Sequence, residues 1–342
     1  MSEMQELLVT ADSGTSVDHT DLWRLCVAPM IDVTDRHCRY FHRLLAPRAR
    51  LYTEMITTGA LLHGDARRHL DFDPAEHPVA IQLGGSEPDA LSRSAKLAER
   101  WGYDEVNLNC GCPSPRVQRG AFGACLMLEP QRVAQGVKAM QDAVSIPVTV
   151  KHRLGIDYNE EYGFVRDFVG LLVETGVRVF IVHARNAVLD GLSPRENREI
   201  PPLRYDVAAR LRQDFPDAMF VLNGGIAQPD QAVSIDDGFD GVMLGRAAWH
   251  TPGVLSDIHR IFWPHDAVPT DDDVVEAMVT YAHEQVAQGV PLRFISRALL
   301  GFASGRKGAR QWRRTLSDAS ALNRNDPALI RQAWDAVTAQ NP

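Results

Sequence analysis

Short apolar runs recur along the chain, and segments with apolar residues at helical spacing separate them. Eight of these runs have the composition of buried strands: Leu25–Pro29, Leu51–Glu54, Val79–Leu83, Glu105–Asn109, Pro147–Lys151, Val179–His183, Met219–Asn223 and Gly241–Gly245. Four of the intervening segments are predicted helices: Asp89–Arg100, Gln131–Ala143, Tyr162–Thr175 and Leu203–Asp214. Gly102 and Gly176 follow two of them, where a helix end favours glycine.

Strands that alternate with helices over about 220 residues favour an α/β fold of the TIM type, a (β/α)8 barrel of roughly 250 residues. A doubly wound open sheet is the competing arrangement. It fits less well, because no Gly-x-Gly-x-x-Gly motif follows the first strand.

The chain changes character after the last predicted strand. Residues 261–273 are rich in proline and aspartate, which is typical of a linker. Thr270 and the three aspartates after it predict a helix start, and that helix should run to about Gln288. Everything beyond it is also predicted to be helical, including Asp326–Ala339. The predicted organisation is a disordered tail over residues 1–23, a barrel over 24–264 and an all-helical C-terminal domain over 270–342.

Polar side chains stand at or beside the ends of six predicted strands: Glu54, Gln82, Asn109, Lys151, His183 and Asn223. In a barrel of parallel strands these ends meet at one rim, where such enzymes build their active sites. Lys151 is compatible with a Schiff-base or pyridoxal-binding lysine. It is equally compatible with a hydrogen bond to a flavin ring. The amides Gln82 and Asn109 favour the flavin, specifically flavin mononucleotide (FMN), because a Schiff base has little use for them.

Two glycine-containing turns predict a phosphate site at the same rim. Asn223-Gly224-Gly225 follows the seventh strand, and Gly245-Arg246 follows the eighth. Barrels commonly hold a phosphate after these two strands. Glycine lets backbone N–H groups approach the phosphate oxygens, and Arg246 supplies a planar pair of donors.

A thiol follows the fourth strand. Cys112 lies on a turn between Gly111 and Pro113, and a thiol presented there can exchange a proton rather than fill a core. Cys110 and Cys112 are too close for half of a zinc site and have no partner motif, so no metal is expected. The five cysteines are an odd number without framework spacing, and neither a membrane-spanning run nor a signal pattern is evident, so a cytoplasmic location is expected.

The net charge of −8 argues against a nucleic-acid partner, but the distribution of charge argues for one. Seven cations lie between Pro291 and Leu316 with no acidic residue among them: Arg293, Arg297, Arg306, Lys307, Arg310, Arg313 and Arg314. This basic segment carries +7, so the remainder of the chain carries −15. A solvated helix face is the simpler explanation. The interleaved aromatic residues Phe294, Phe302 and Trp312 favour contact with a phosphate backbone instead.

Several motifs resemble those of the tRNA-dihydrouridine synthases, and specifically their A-type subfamily. They are Val27-Ala-Pro-Met-Ile-Asp-Val-Thr-Asp-Arg-His-Cys-Arg-Tyr, Leu108-Asn-Cys-Gly-Cys-Pro-Ser, Ile181-Val-His-Ala-Arg-Asn-Ala, Leu192-Ser-Pro-Arg-Glu-Asn-Arg and Gly308-Ala-Arg-Gln-Trp-Arg-Arg. The resemblance covers roughly Leu25 to Ser317. It implies an FMN-binding barrel, a helical domain that grips tRNA, and NADPH-dependent reduction of D-loop uridines 20 and 20a to 5,6-dihydrouridine. The hydride would pass from flavin N5 to C6 of the base. We expect a monomer.

The same resemblance assigns residues by motif. The FMN ligands would be Pro29, Met30, Ile31, Gln82, Lys151, His183, Asn223, Gly224, Gly225, Gly245 and Arg246. Cys112 would be the proton donor to C5. The tRNA contacts would be Asn109, Arg153, Arg195, Arg198, Gln311 and Arg314. Cys110 departs from the family pattern, since many members are expected to have an aliphatic residue there.

Two alternatives remain at this point. A flavin barrel that acts on a free pyrimidine or another small molecule would leave the basic segment without a purpose. A non-catalytic RNA-binding protein on a degenerate barrel would not need the set of Cys112, Lys151, His183 and Arg246.

Overall fold

A closed barrel of parallel strands forms the centre of the molecule in the computed structural model, which describes residues 19–159 and 161–340. The strands are β1 Leu25–Val27, β2 Arg50–Thr57, β3 Val79–Gly84, β4 Glu105–Cys110, β5 Val148–Arg153, β6 Val179–His183, β7 Met219–Asn223 and β8 Gly241–Leu244. They follow one another around the barrel in chain order, and β1 closes it against β8 through pairs such as Cys26 with Met243. The prediction of a (β/α)8 barrel is confirmed.

Helices fill the connections and the C-terminal part of the described chain. They are α1 Arg36–Leu45, α2 Thr58–His63, α3 Ala66–Leu70, α4 Pro88–Trp101, α5 Pro115–Arg119, α6 Pro130–Gln141, α7 Tyr162–Glu174, α8 Tyr205–Asp214, α9 Pro229–Asp236, α10 Arg246–His250, α11 Gly253–Phe262, α12 Asp271–Ala287, α13 Leu292–Leu299, α14 Ala309–Thr315, α15 Ala319–Leu322 and α16 Ala328–Thr338. The four helices predicted from spacing are confirmed as α4, α6, α7 and α8. Gly102 and Gly176 have φ of +102° and +107°, the left-handed conformation that their predicted helix-end positions favour.

Several predicted strand ends were wrong. β2 continues to Thr57, so Glu54 lies inside the strand, beside a register shift against β3. β1 ends before Pro29 and β8 before Gly245, which therefore belong to the loops above the rim. The missing N–H of Pro29 gives a physical reason why β1 does not include it, because proline cannot donate to a neighbouring strand. β5 extends to Arg153, two residues past its predicted end.

Side chains alternate between the two faces of each strand, and β4 illustrates the result. Val106 and Leu108 belong to the large hydrophobic core between the strands and the surrounding helices. Glu105 and Asn107 lie on the other face and are hydrogen-bonded inside the barrel. The barrel interior is therefore polar along this strand.

The N-terminal boundary of the folded part differs from the prediction. Residues 1–18 of the predicted tail lie outside the described residues. His19–Trp23 form a short 3-10 helix, so a disordered tail that extends to residue 23 is wrong for this stretch. The Trp23 side chain is buried, and its Nε1 donates a hydrogen bond to Glu105 Oε2 at 2.7 Å. This bond holds the segment against the bottom of the barrel.

Residues 263–270 form neither helix nor strand, and α12 begins directly after them. Thr270 caps this helix as predicted, because its side chain accepts a hydrogen bond from the backbone N–H of Asp273 at 3.2 Å. The apolar residues of α12–α16 share one hydrophobic cluster with the outer face of β1 and with α1. The C-terminal helices therefore pack against the barrel through this shared cluster. The boundary between a barrel and a C-terminal domain stays a prediction.

Candidate active site

Lys151 and Asn223 are joined at the rim of the barrel. Lys151 Nζ donates a hydrogen bond to Asn223 Oδ1 at 3.0 Å, and Asn223 Nδ2 donates to the carbonyl of Met243 at 2.8 Å. These bonds connect β5, β7 and β8 and fix which end of the Asn223 amide faces the lysine. The ammonium group has further N–H donors, so it can also bind an anionic or carbonyl group of a ligand.

Two basic groups at the rim are easily deprotonated. Burial and the neighbouring Arg153 guanidinium lower the pKa of the Lys151 ammonium to about 7. Burial, followed by the positive charges of Arg153 and Lys151, holds the pKa of His183 well below its ordinary value. His183 is therefore neutral at physiological pH, and its ring can donate one hydrogen bond and accept another. Burial is the larger cause of both pKa shifts, and neighbouring positive charge adds to it.

The amides predicted to contact a heterocycle are linked to each other. Asn109 Nδ2 donates to Gln82 Oε1 at 2.7 Å, and Gln82 Nε2 donates to Asn107 Oδ1 at 2.7 Å. Gln82 is buried below Asn109, which reaches the rim. Asn109 Oδ1 also accepts the backbone N–H groups of Gly111 and Cys112 at 3.1 and 3.0 Å. Asn109 therefore connects the interior of the barrel to the thiol loop.

The two neighbouring cysteines have opposite environments. Cys110 is the last residue of β4 and is completely buried in the outer core, where burial raises the pKa of its thiol. Cys112 is partly exposed and is the second residue of the loop above the strand. Its carbonyl accepts a hydrogen bond from Ala124 at 2.9 Å, across Gly123 with φ +80°. A Cβ on Gly123 would lie 2.6 Å from the Cys112 carbonyl oxygen, so this loop closure requires glycine.

Arg153 is a buried connector between two rim loops. Its guanidinium donates to the carbonyl oxygens of Gly111, Asn186 and Asn197 at 3.2, 2.9 and 3.0 Å. Burial lowers the pKa of Arg153 to about 9. The residue predicted as a uracil contact thus also holds the thiol loop in place.

The predicted phosphate turns have the required backbone. Gly224 and Gly225 have φ of +116° and +75°, a region that side chains rarely adopt. A Cβ on Gly224 would lie 2.8 Å from His183 Cδ2. A Cβ on Gly225 would lie 2.5 Å from Leu203 Cδ1. Gly245 lies beside the rim loop after β1, since its Cβ would lie 3.9 Å from Met30 Sδ.

Arg246 lies in a cluster of arginines beside the carboxylate of Glu199. Arg246 Nη1 pairs with Glu199 Oε1 at 2.6 Å, and Nη2 donates to the Arg198 carbonyl at 3.3 Å. Burial and then the charge of Arg246 lower the pKa values of Arg185 and Arg198. Three guanidinium groups within electrostatic reach of each other create a positive potential that would attract an anion.

The loop predicted to lie beneath the ring is open to solvent. Pro29 and Met30 are partly exposed and Ile31 is 53% exposed, which is unusual for a large apolar side chain. Thr34 fixes this turn, because its Oγ1 accepts the N–H of Met30 at 3.0 Å. An apolar ligand surface laid on Ile31 would remove it from water.

The residues predicted to contact tRNA lie in two places. Asn109, Arg153, Arg195 and Arg198 belong to the barrel, and Arg195 and Arg198 are exposed on the loop after β6. Gln311 and Arg314 are exposed on α14, outside the barrel.

The basic segment is less available than its sequence suggests. Arg297 Nη2 pairs with Asp35 Oδ2 at 2.7 Å, and Arg306 pairs with Asp271. The interleaved Phe302 and Trp312 are buried in the helical core, so the prediction that they help to contact a backbone is wrong. Four exposed arginines of the segment make no ion pair with the residues that the structure describes: Arg293, Arg310, Arg313 and Arg314.

Sequence reasoning missed the polar residues below the rim. Glu105, Asn107 and Thr149 occupy the barrel interior, and each is hydrogen-bonded there. The signal was present as the alternation Glu105-Val-Asn107-Leu-Asn109, which places three polar side chains on one face of a buried strand. Glu199, the partner of Arg246, left no comparable pattern.

Within the ranges 19–159 and 161–340, no cluster of histidine, cysteine, aspartate and glutamate side chains has an arrangement that could hold a metal ion. Among the helices of the same ranges, none is both long and apolar enough to cross a membrane.

The fold and the rim define this protein as a (β/α)8 barrel with a binding site at the carboxyl ends of its strands. A family model described as "Dihydrouridine synthase (Dus)" matches residues 26–338. The chain belongs to the dihydrouridine synthase family, as its motifs predicted.

Curated relatives cover almost the whole chain. A protein of Pseudomonas putida named "tRNA-dihydrouridine(20/20a) synthase" is 55% identical over 86% of this chain and 88% of its own length. A Yersinia pestis protein of the same name is 52% identical over 98% of this chain and 97% of its own.

Solved structures share the fold at low sequence identity. The old yellow enzyme homologue from Zymomonas mobilis has a TM-score of 0.51 and 12% identity, over 73% of this chain and 92% of that one. Morphinone reductase has a TM-score of 0.50 and 13% identity, over 73% and 88%.

Proposed function

We propose that this protein reduces uridines 20 and 20a of tRNA to 5,6-dihydrouridine, with FMN as its bound flavin and NADPH as the reductant. The proposal rests on Cys112, which is partly exposed at the barrel rim and lies within electrostatic reach of Lys151. The names of relatives at 52–55% identity support the tRNA positions. The family motifs support NADPH.

The residues at the rim fit a flavin with a single phosphate. The backbone of Gly224 and Gly225, together with the arginine cluster around Arg246, would hold the phosphate. Lys151 would hydrogen-bond the polar edge of the ring and stabilise negative charge there. When bound, a flavin supplies the hydride that C6 of the uracil receives. Pro29, Met30 and Ile31 would lie beneath the ring, and Gln82, His183, Asn223 and Gly245 would complete the site.

Cys112 would supply the proton that C5 of the base needs. A thiol is protonated at neutral pH and can donate to a developing enolate. Cys112 is exposed to the rim, whereas the buried Cys110 has no path to a ligand. Arg153 and Asn109 hold its loop from two sides and would present the thiol at one height above the ring. Arg153 and Asn109 would also contact the target base.

The tRNA would be held by the cations around the barrel mouth and on α14. Arg195 and Arg198 lie beside the rim, while Gln311 and Arg314 would contact the body of the tRNA. The target base must leave its stack to enter the barrel. Contacts remote from the base would supply the binding energy for this step. We propose residues 24–264 as the flavin-binding part and 270–342 as the tRNA-binding part.

Unmodified tRNA tests the proposal with a matched pair of variants. The FMN-loaded protein and NADPH should convert uridines 20 and 20a, and mass spectrometry of nuclease fragments locates the product. Cys112→Ala should oxidise NADPH but form at least about a hundredfold less dihydrouridine, the usual contribution of a general acid. Cys110→Ala should retain most activity. An inactive Cys110→Ala with an active Cys112→Ala would reverse the assignment, and turnover of free uridine as fast as tRNA would refute it.

A further inference from the structure

A continuous line of hydrogen bonds crosses the interior of the barrel, from its lower end to the thiol loop. It runs through the side chains of Glu105, Thr149, Asn107, Gln82 and Asn109, and ends on the backbone N–H of Cys112. All five side chains are buried, and Asn109 is the most exposed of them at 8%. The four contacts from Thr149 up to Cys112 are between 2.7 and 3.0 Å long.

Strand register places these residues side by side. Gln82 of β3 is paired with Asn107 of β4, and Asn107 is paired with Thr149 of β5. Glu105, Asn107 and Asn109 are two residues apart on β4, so all three face the barrel interior. Neighbouring strands and alternate residues thus build a ladder of polar groups without any irregular backbone.

Glu105 sets the direction of the whole line. Its carboxylate accepts from Trp23 Nε1 at 2.7 Å, from the Tyr52 hydroxyl at 2.9 Å and from Thr149, and Arg50 Nη1 lies 3.2 Å away. A group surrounded by donors can only accept. The Thr149 hydroxyl must therefore donate its hydrogen bond to Glu105. It can then only accept one from Asn107.

This constraint passes upward through three amides. Asn107 has to turn its NH2 group to Thr149 and its oxygen to Gln82. Gln82 then has to turn its oxygen to the NH2 group of Asn109. The oxygen of Asn109 is consequently the end that faces the loop, where it accepts from both Gly111 and Cys112. One carboxylate at the bottom of the barrel determines the orientation of an amide at the top.

We propose that Glu105 is a positioning residue for Cys112, acting through this line of amides. The catalytic consequence rests on the proposed function, in which Cys112 gives a proton to the base. The structural consequence does not, because it concerns the loop alone. Without an obligatory acceptor at its lower end, the line can reverse. A reversed Asn109 would turn its NH2 group toward the N–H groups of Gly111 and Cys112. Both sides would then be donors, and these two hydrogen bonds would be lost.

The test compares two buried glutamates that are each paired with a buried arginine. Glu105→Gln keeps the shape but supplies an NH2 group, so Thr149 is no longer forced to donate. Glu76→Gln is the matched control. Glu76 lies in the 74–76 turn and pairs with Arg39 of α1, and within the described residues no hydrogen bond joins it to the thiol loop. Iodoacetamide alkylation of each cysteine is followed by peptide mass spectrometry between pH 6 and 10, in the FMN-loaded protein.

We expect Glu105→Gln to alkylate Cys112 about fivefold faster, the factor that one lost hydrogen bond represents. The half-buried Cys125 should react at an unchanged rate, and Glu76→Gln should leave both rates unchanged. With unmodified tRNA, kcat should fall while KM for tRNA is kept. Thr149→Val interrupts the same line by another route and should reproduce the effect, which guards against misfolding of the first variant.

Equal Cys112 alkylation in wild type, Glu105→Gln and Thr149→Val would overturn the proposal. An equal increase in Glu105→Gln and Glu76→Gln would also overturn it, because loss of any buried charge pair would then explain the result. Faster Cys112 alkylation in Glu105→Gln and Thr149→Val supports the positioning role of Glu105, even if Cys112→Ala proves active on tRNA. That activity would refute Cys112 as the proton donor without refuting the positioning role.

Discussion

Arg246 Nη1 lies 2.6 Å from Glu199 Oε1, so the arginine proposed to bind a phosphate already has a carboxylate partner. Both side chains are a little over 40% exposed. An incoming phosphate and Glu199 would carry the same sign of charge next to one guanidinium. They must therefore compete for Arg246 or share it at a repulsive cost.

The first prediction is that these two residues affect FMN affinity in opposite directions. Arg246→Ala should weaken FMN binding roughly tenfold to hundredfold, the range for one charged bidentate contact. Glu199→Gln should strengthen binding, because it removes the competitor and its charge. Isothermal titration of the flavin-free protein measures both changes. Glu196→Gln is the control on the same turn, and a similar gain in that variant would mean that general charge explains the effect.

The second prediction concerns the pH dependence that Lys151 imposes. Its folded pKa of about 7 is below its ordinary value, so between the two values the unfolded chain holds more protons than the folded one. Stability of the flavin-free protein should therefore rise with pH in this window, through Lys151. Lys151→Met removes the titration. The Tm of wild type minus the Tm of the variant should increase by a few degrees between pH 6 and pH 9.

Differential scanning calorimetry at both pH values checks this, with Lys96→Met on the exposed side of α4 as the control. A pH-independent difference would show that Lys151 has an ordinary pKa in the folded protein.

The third prediction separates backbone strain from steric contact at the phosphate turn. Gly225 and Gly289 both have positive φ, at +75° and +89°. A Cβ at Gly225 would meet Leu203, whereas one at Gly289 would meet nothing within 4 Å. Either alanine should cost about 1–2 kcal/mol of stability through its backbone alone. FMN affinity should fall only in Gly225→Ala, and equal affinity in the two variants would remove this turn from the phosphate site.

The fourth prediction tests the exposed cations of α14. Replacing Arg310, Arg313 and Arg314 with alanine should weaken tRNA binding and flatten its dependence on salt, because fewer counterions are released. NADPH oxidation by the bound flavin should stay nearly unchanged. The control variant replaces Arg93, Arg100 and Arg166, three exposed arginines on the outer helices α4 and α7.

Filter binding across a salt series, together with dihydrouridine formation, measures the fourth prediction. If the two triple variants behave alike, net charge accounts for the effect and α14 is not a specific tRNA surface.

The sequence by itself determined the barrel and the position of its rim. Apolar runs of strand length that alternate with amphipathic segments have few compact solutions, and parallel strands bring their polar ends together. Features whose residues are close along the chain could also be predicted from the sequence, such as the Thr270 cap and the glycine turn after β7. The basic segment was visible in the same way, as a stretch of cations without acidic neighbours.

Tertiary structure alone decided which of those groups are available. Arg297 is paired with Asp35, which is 262 positions away, and Trp312 is buried against the helical core, so neither is free for a ligand. The line from Glu105 to Cys112 likewise depends on the register of three strands. A hydrogen bond forms only when both groups arrive at about 3 Å with the right polarity. The sequence determines which polar side chain stands at each position, and the closure of the barrel brings these side chains within hydrogen-bonding distance.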